Sequence, residues 1–269
     1  MMDGRYVVLK EGTETPLWCG HLLNGRVDAY DPFYQHMRPT IPVFGMTLQP
    51  LDGTRRPLRT ISAMCRVHAA TIDHVQPEGA VRLLGYSWGG QIAHQTAAEL
   101  ISMGREVSCV GLVDTWHPNE RRRSDRAKQV ATDFRQGKET GSSSLIGRFV
   151  EKMRKAPGRA WYYTKLAVVA PLNLPHNDEM ERRRFVRIGL ATRETHTLAP
   201  LDVPVTFFQV DRVDFAGPPD TASSWVATDD ANVVSISGAH RGPRSAMFEP
   251  KVGETADAVM KALDQAEMR

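Results

Sequence analysis

The segment Gly85-Tyr86-Ser87-Trp88-Gly89 combines residue types and a spacing that suit nucleophilic catalysis. A serine hydroxyl can attack a carbonyl carbon when a sharp, strained turn between a strand and a helix holds it exposed. Side chains in place of Gly85 and Gly89 would collide with the neighbouring strand and helix. The apolar run 81–84 predicts the strand, and residues 91–100 predict the helix. We therefore predict that Ser87 is a nucleophile; the alternative is a glycine-rich turn with a solvated serine.

A carboxylate that orients the catalytic base is the next group that a serine nucleophile needs. When the nucleophile lies on a strand–turn–helix, the acid and then the histidine follow it along the chain. Asp114 ends the apolar run 107–113, which predicts the neighbouring parallel strand, so we expect its carboxylate at the same sheet edge as Ser87. Asp211 and Asp214 follow the next strand along the chain, and the residues alone do not decide between the three.

His240 is the candidate base. Among the nine histidines, it is the one that follows the last predicted strand, and it lies in the glycine-flanked stretch 238–242. The alternative is a histidine on a surface loop. His94 falls two turns into the helix that follows the serine, so we interpret it as structural. His21 ends an early strand, and we expect it to shape the site without acting as the base.

Two backbone N–H groups are candidates to stabilise the negative charge that forms on an attacked carbonyl oxygen. One is the N–H of Trp88, which follows the serine at the start of the helix, where backbone N–H groups point at anions. The other is expected from the loop 21–25, after the early strand. Donors that are held in place in this way contribute roughly 3 kcal/mol each to catalysis.

Strands and helices alternate along the first part of the chain. The predicted strands and helices before the serine are 6–9, 16–20, 29–37, 41–48 and 60–75. This alternation predicts a mostly parallel central sheet with helices on both faces, the α/β class. Between residues 116 and 199 the chain has helical patterns without a strand, and strands resume near 203–210 and 232–237 before a last helix at 249–266. We predict one α/β domain, formed by residues 1–115 and 200–269, with a helical insertion at 116–199.

The composition is typical of a globular protein, with 41% hydrophobic and 24% charged residues. No apolar run approaches the roughly 18 residues of a membrane span, and the N-terminus lacks the apolar centre of a signal peptide. We therefore expect a cytoplasmic protein that does not act at a membrane. Cys19, Cys65 and Cys109 are odd in number and widely spaced, which predicts reduced core residues rather than a disulfide frame or a metal site.

Charge is unevenly distributed along the chain. Residues 117–195 carry 18 Lys and Arg against 9 Asp and Glu, whereas the rest of the chain carries 16 against 22. Runs of basic residues such as Arg121-Arg122-Arg123 most often form a solvated helix face. The alternative is a basic surface that attracts an acidic partner. Nucleic acid is not an expected partner, because no aromatic residues or binding motif accompany the charge.

Several segments match one family pattern: Pro16-Leu17-Trp18 with His21 and Gly25, Val43-Phe44-Gly45-Met46 with Leu51-Asp52-Gly53, Gln76-Pro77-Glu78-Gly79, Arg82-Leu83-Leu84 before the serine segment, Gly111-Leu112-Val113-Asp114, and Glu249-Pro250. On these residues the chain resembles the thioesterase domains that end nonribosomal peptide and polyketide synthetases. The sequence departs from the family at Leu22, where proline is usual, and in a longer loop at 241–247.

The resemblance implies an α/β-hydrolase fold in which residues 116–199 form a helical lid. It implies Ser87, Asp114 and His240 as the catalytic triad, which favours Asp114 over Asp211, and the N–H groups of Leu23 and Trp88 as the oxyanion hole. The implied activity is release of an acyl or peptidyl chain from the phosphopantetheine thioester of a carrier protein, by hydrolysis or cyclisation. The implied partner is that acyl or peptidyl carrier protein, which we expect to dock on the basic lid.

Other functions remain open at this point. On the same triad, the chain could be an editing thioesterase that clears stalled carriers or a carboxylester hydrolase. A different class is a catalytically silent hydrolase fold that binds a ligand without turning it over. The segment before the serine is closer to the chain-terminating type than to the stand-alone editing type. The implied thioesterase reaction needs no cofactor and no metal, because the thioester itself supplies the driving force.

Overall fold

The computed structural model describes residues 6–48, 58–115, 185–190, 197–210, 225–227, 231–238 and 245–268. In this part of the chain, seven strands form one sheet: β1 (Tyr6–Lys10), β2 (Leu17–Cys19), β3 (Val43–Met46), β4 (Val81–Tyr86), β5 (Val107–Val113), β6 (Val205–Val210) and β7 (Ala231–Ile236). The spatial order is β1-β3-β2-β4-β5-β6-β7. β1 pairs antiparallel with β3, and every other pair is parallel. The predicted mostly parallel sheet is therefore confirmed.

Among the described residues, the α-helices are α1 (Asp31–Gln35), α2 (Ile61–Val75), α3 (Trp88–Ser102) and α4 (Val252–Glu267), and residues 185–190 are also helical. Apolar residues of α2 and α3 pack in one core cluster, and those of α1 and α4 pack in a second cluster with other sheet residues. Both faces of the sheet are thus covered, which explains why the central strands β4 and β5 are buried almost throughout.

Local sequence signals account for most helix ends. The Thr60 hydroxyl caps α2 by accepting from the Ala63 N–H at 3.2 Å. Past the end of α3, Gly104 has a φ of +81°, the left-handed conformation that glycine adopts at little cost. The prediction of a helix at 29–37 was wrong in detail, because a 3-10 turn (Asp28–Tyr30) precedes α1, and α1 ends at Gln35. The α-helix starts at Asp31 because Pro32 suits only its first turn.

The last helix also starts later than predicted, at Val252 instead of residue 249. Pro250 explains the difference, because the residue before a proline is disfavoured in helical conformation. Cys19, Cys65 and Cys109 are free and buried, as predicted. No helix among the described residues is both long enough and apolar enough to span a bilayer. The helical patterns predicted within 116–184 lie outside the described residues.

Candidate active site

Ser87 occupies the turn between β4 and α3, as the sequence predicts. Its φ is 54° and its ψ is −117°, a strained conformation for a residue with a side chain. The buried apolar strand β4 ends at Tyr86, and α3 starts at Trp88, so a single residue carries the whole change of direction. The turn is anchored to the next strand, because the Ser87 N–H donates to the carbonyl oxygen of Val113 at 2.9 Å.

The glycines of this turn permit very close packing. A Cβ atom at Gly85 would lie 2.1 Å from the carbonyl oxygen of Gly89, and one at Gly89 would lie 2.5 Å from the carbonyl oxygen of Gly20. The predicted collision with helix and neighbouring strand is therefore confirmed at both positions. A Cβ at Gly90 would lie 1.9 Å from the Thr115 Oγ1 atom. The serine turn, α3 and the ends of β2 and β5 meet at one point of the sheet edge.

Asp114 follows β5 directly and lies at the same sheet edge as Ser87. Its side chain is buried, and its φ of 43° is in the left-handed region. Aspartate tolerates this region better than most residues. The Asp114 N–H donates to the carbonyl oxygen of Phe208 on β6 at 2.9 Å. The backbone thus holds Asp114 between the ends of the neighbouring strands. The rival acids Asp211 and Asp214 lie outside the described residues.

His240 also lies outside the described residues, and the chain is described again from Ser245. The Ser245 Oγ atom is buried and lies 3.3 Å from the Tyr86 Oη atom, and it accepts from the Met247 N–H at 3.3 Å. Tyr86 is the residue immediately before Ser87. Ser245, which follows the predicted base His240 along the chain, is therefore hydrogen-bonded to the residue before the predicted nucleophile. Nothing in the sequence signals this contact.

The predicted oxyanion loop, residues 21–25, forms a tight turn that is closed by backbone hydrogen bonds. The Gly25 N–H donates to the carbonyl oxygen of Leu22 at 2.9 Å, and the Leu22 N–H donates to the carbonyl oxygen of Arg26 at 2.8 Å. Gly25 has a φ of +78°, which closes the turn. His21 also donates through Nδ1 to the carbonyl oxygen of Leu22 at 2.8 Å, so this oxygen accepts two hydrogen bonds. A carbonyl can only accept, which fixes the proton on Nδ1.

These bonds fix the orientation of the candidate donor Leu23. The carbonyl of Leu22 and the N–H of Leu23 belong to one peptide unit, and in a trans peptide they point in opposite directions. With the carbonyl held towards His21 and Gly25, the Leu23 N–H faces away from them. The second candidate donor, Trp88, is the first residue of α3, so its N–H has no acceptor within the helix.

Three histidines of the described residues, His21, His68 and His94, are buried. The ring centroid of His21 lies 5.3 Å from that of His68 on α2. Burial lowers the pKa of His21 to about 4, so its ring is neutral at physiological pH. The Nε2 atom of His94 lies 2.9 Å from the carbonyl oxygen of Trp225, and the two rings make an edge-to-face contact. His94 is therefore structural, as predicted.

The helical segment 185–190 lies against the oxyanion loop. A Cβ at Gly25 would lie 3.0 Å from the Phe185 ring. A Cβ at Gly189 would lie 2.4 Å from Leu23 Cδ1 and 3.5 Å from Trp88 Cζ2. This part of the predicted insertion thus contacts both residues whose N–H groups are candidate oxyanion donors. The sequence predicts the helix, but it does not predict which loop the helix touches.

Comparison with known proteins identifies the family. The profile of the thioesterase domain family matches residues 15–244. The chain belongs to the thioesterase domain family. The sheet order, the helices on both faces and the strand–serine–helix turn agree with the α/β-hydrolase fold of that family, as predicted.

Two relatives show the setting in which such domains occur. Enterobactin synthase component F of Escherichia coli (strain K12) is 33% identical over 110 residues, which are 41% of this chain and 8% of that protein. An inactive atromentin synthetase of Paxillus involutus is 35% identical over 102 residues, which are 38% of this chain and 10% of the relative. The match thus spans a small part of each relative's length.

A solved structure supports the fold over nearly the whole chain. A four-domain nonribosomal peptide synthetase, crystallised bound to AMP and glycine, superposes with a TM-score of 0.69 at 20% identity. The superposition covers 96% of this chain and 20% of that chain. The thioesterase domain is thus similar to a part of a multidomain synthetase.

Proposed function

We propose that this thioesterase domain releases an acyl or peptidyl chain from the phosphopantetheine thioester of a carrier protein, through an acyl-enzyme on Ser87. The observation that carries the proposal is the strained turn at Ser87, whose N–H is bonded to the carbonyl of the residue before Asp114. A serine held in this way at the end of a buried strand is positioned for nucleophilic attack. Family membership and the relatives among peptide synthetases support the thioester as the bond that is cleaved.

The proposed reaction has two acyl transfers. His240 accepts the Ser87 hydroxyl proton, and Oγ attacks the thioester carbonyl carbon while Asp114 orients the imidazole. The N–H groups of Leu23 and Trp88 donate to the oxyanion. The carbon–sulfur bond breaks, the thiol takes the proton from His240, and an ester on Ser87 remains. Water, or an amine or hydroxyl of the acyl chain itself, then attacks that ester and releases an acid or a ring.

The proposed partner is an acyl or peptidyl carrier protein, and the proposed location is the cytoplasm. The excess of basic residues in 117–195 supports docking of an acidic carrier on the lid. Replacing the run Arg121-Arg122-Arg123 by alanine tests this. Docking predicts slower acylation from a carrier-bound thioester with unchanged cleavage of a small thioester. Unchanged rates with both substrates would reject this docking surface. The proposed reaction uses neither a metal nor a cofactor.

A fluorophosphonate that labels activated serines tests the proposed chemistry. We expect stoichiometric labelling of the folded protein at Ser87 and none in Ser87→Ala, with faster turnover of an acyl thioester than of the matched oxygen ester. Faster turnover of the oxygen ester would instead indicate a carboxylester hydrolase. An editing thioesterase would cleave short acyl groups misloaded on carriers and spare the full-length chain.

A catalytically silent binding protein is the second candidate function. The similarity to a synthetase that is named inactive favours it. A folded protein that binds an acyl-carrier analogue but whose Ser87 stays unlabelled would establish this function and reject the catalytic one.

A further inference from the structure

Tyr30 carries a buried hydroxyl that lies between the ends of β2 and β4. The hydroxyl donates to the carbonyl oxygen of Gly20 at 2.8 Å and accepts from the N–H of Tyr86 at 2.8 Å. The Tyr30 side chain is fully buried. Burial, with smaller contributions from neighbouring groups, raises the pKa of Tyr30 well above its ordinary value, so the hydroxyl keeps its proton and can donate.

The two hydrogen bonds of this hydroxyl replace one backbone hydrogen bond between β2 and β4. β2 and β4 are parallel, with Cys19 beside Leu84, and the Gly20 N–H donates to the Leu84 carbonyl at 2.8 Å. In a regular parallel ladder, the Gly20 carbonyl would accept the next N–H from β4, which is that of Tyr86. The nitrogen and oxygen atoms of such a backbone hydrogen bond are about 2.9 Å apart. Here the two groups are joined through the Tyr30 hydroxyl, so β2 and β4 separate at this point.

The separation occurs where both candidate oxyanion donors leave the sheet. After Gly20 the chain enters the oxyanion loop, which carries Leu23, and after Tyr86 it enters the serine turn and α3, which begins with Trp88. The space around the hydroxyl is tight, since a Cβ at Gly89 would lie 2.9 Å from Tyr30 Oη. The hydroxyl therefore spaces the two segments at the base of the predicted oxyanion hole.

We propose that Tyr30 is a positioning residue that sets the distance between the Leu23 and Trp88 N–H groups by replacing a ladder hydrogen bond with a bridging hydroxyl. The inference rests on the proposed function, because it takes these two groups as the oxyanion donors. Tyr30 touches no reacting atom. Without its hydroxyl, Gly20 and Tyr86 either pair directly, which draws the oxyanion loop towards the serine turn, or lose their partner. Both outcomes displace one donor relative to the other.

The test uses Tyr30→Phe, which retains the ring and removes only the hydroxyl. We expect single-turnover acylation by a small acyl thioester to slow 10- to 100-fold, less than the roughly 100-fold or greater cost of losing a whole donor. Substrate affinity, measured in the Ser87→Ala background with and without Tyr30→Phe, should stay within twofold. A displaced oxyanion donor should slow acylation without weakening substrate binding.

Two control variants separate this role from general stability. Tyr34→Phe removes a hydroxyl from the neighbouring partly buried tyrosine in α1 and should leave acylation unchanged. Val259→Ala truncates a buried side chain in α4 and supplies a variant of reduced stability with an intact site. Wild-type acylation in folded Tyr30→Phe, or a loss no greater than that in Val259→Ala, would overturn the proposal.

Crystal structures of the wild type and of Tyr30→Phe give a readout that is independent of turnover. We expect the distance between the Leu23 and Trp88 nitrogen atoms to differ between the two structures, and an unchanged distance would overturn the inference. A wild type that is never acylated would instead reject the proposed function, while the distances would still test the spacing. If Tyr30→Phe does not fold, 4-aminophenylalanine at position 30 retains the donor to Gly20 but is a poor acceptor for the Tyr86 N–H. The acylation rate and the distance between the Leu23 and Trp88 nitrogen atoms should then change together or not at all, and a change in one without the other would contradict the proposal.

Discussion

The N–H of Ser87 donates a hydrogen bond of 2.9 Å to the carbonyl oxygen of Val113. This bond joins the strained residue after β4 to the last residue of β5, directly before Asp114. The two strands therefore stay paired up to the point where each one ends. The sheet itself fixes the position of the candidate nucleophile relative to the candidate acid, so their relationship does not depend on a long loop.

Replacing Asp114 by asparagine should reveal whether this residue orients the base. Asparagine tolerates the left-handed φ of 43° at this position, so the fold should be kept. Because asparagine cannot stabilise a protonated histidine, we expect acylation of Ser87 to slow by roughly 10³- to 10⁴-fold, as for comparable triads. Single-turnover acylation kinetics measure this loss.

The rival acid provides the decisive comparison for that variant. Asp211→Asn should retain acylation within a few-fold, as should the control Asp202→Asn, which changes an exposed aspartate at the start of the β6 region. If Asp211→Asn is inactive and Asp114→Asn is active, then Asp211 is the acid, and Asp114 serves only the backbone turn.

The close approach at Gly85 predicts a large loss of stability on substitution. A Cβ there would lie 2.1 Å from the carbonyl oxygen of Gly89, and backbone cannot move away as a flexible side chain can. We expect Gly85→Ala to lower the free energy of unfolding by about 3 kcal/mol or more, measured by urea denaturation. Gly104→Ala is the control, because Gly104 has a φ of +81° and open space around it, so it should lose only about 1 kcal/mol. Equal losses would contradict the packing at the serine turn.

The buried His21 predicts a loss of stability in acid. Its pKa is about 4 in the folded protein against an ordinary value of 6.5, so between these values the unfolded chain binds a proton that the folded protein does not. The stabilisation from keeping His21 neutral is therefore fully present above pH 6.5 and is lost as the pH falls towards 4, by about 3 kcal/mol in all.

Urea denaturation of the wild type and of His21→Asn between pH 4 and 7.5 measures that contribution. Asparagine can still donate to the Leu22 carbonyl but does not titrate, so the variant should have a shallower dependence on pH. His74→Asn, at an exposed position in the last turn of α2, is the matched control for a histidine-to-asparagine change. Identical pH dependence in wild type and His21→Asn would show that His21 is not desolvated.

The three cysteines should be unreactive in the native protein. All are free and buried, and burial raises the pKa of Cys65 to about 12 and that of Cys109 to about 11. Because the thiolate is the reactive form, a thiol reagent should label none of them at neutral pH without denaturant and all three in strong denaturant. Rapid labelling of a native cysteine would contradict the packing of β2, α2 or β5.

Sequence reasoning succeeds where one local signal determines the structure. The apolar run of β5 was predicted with its observed bounds, Val107–Val113, because a central strand covered on both faces admits almost only apolar residues. The strain at Ser87 and the close contacts of its flanking glycines were also predicted from a local signal. Glycines at this spacing indicate positions where a side chain would not fit. The start of α1 was predicted too early, because the prediction followed the apolar pattern and ignored Pro32, which fits only in the first turn of a helix.

Contacts between distant segments are what the sequence could not supply. Tyr30 lies 10 residues from Gly20 and 56 from Tyr86, and only the pairing of β2 with β4 brings their groups to one hydroxyl. The contact between Tyr86 and Ser245 spans 159 residues. The sequence around Tyr30 and Tyr86 does not distinguish them from tyrosines whose hydroxyl has no such role. The partners of each hydroxyl depend on which distant segments the fold brings next to it.

The most direct test of the central claim is the intact mass of the protein after incubation with carrier-bound acyl thioesters. The proposed function predicts a mass increase equal to the acyl group, located on Ser87 by peptide mapping, and its absence in Ser87→Ala. The released product then identifies water or an internal nucleophile as the acceptor. A folded wild type without an adduct from any acyl chain, and without release of free acid or ring, would contradict the claim, as would an adduct that persists in Ser87→Ala.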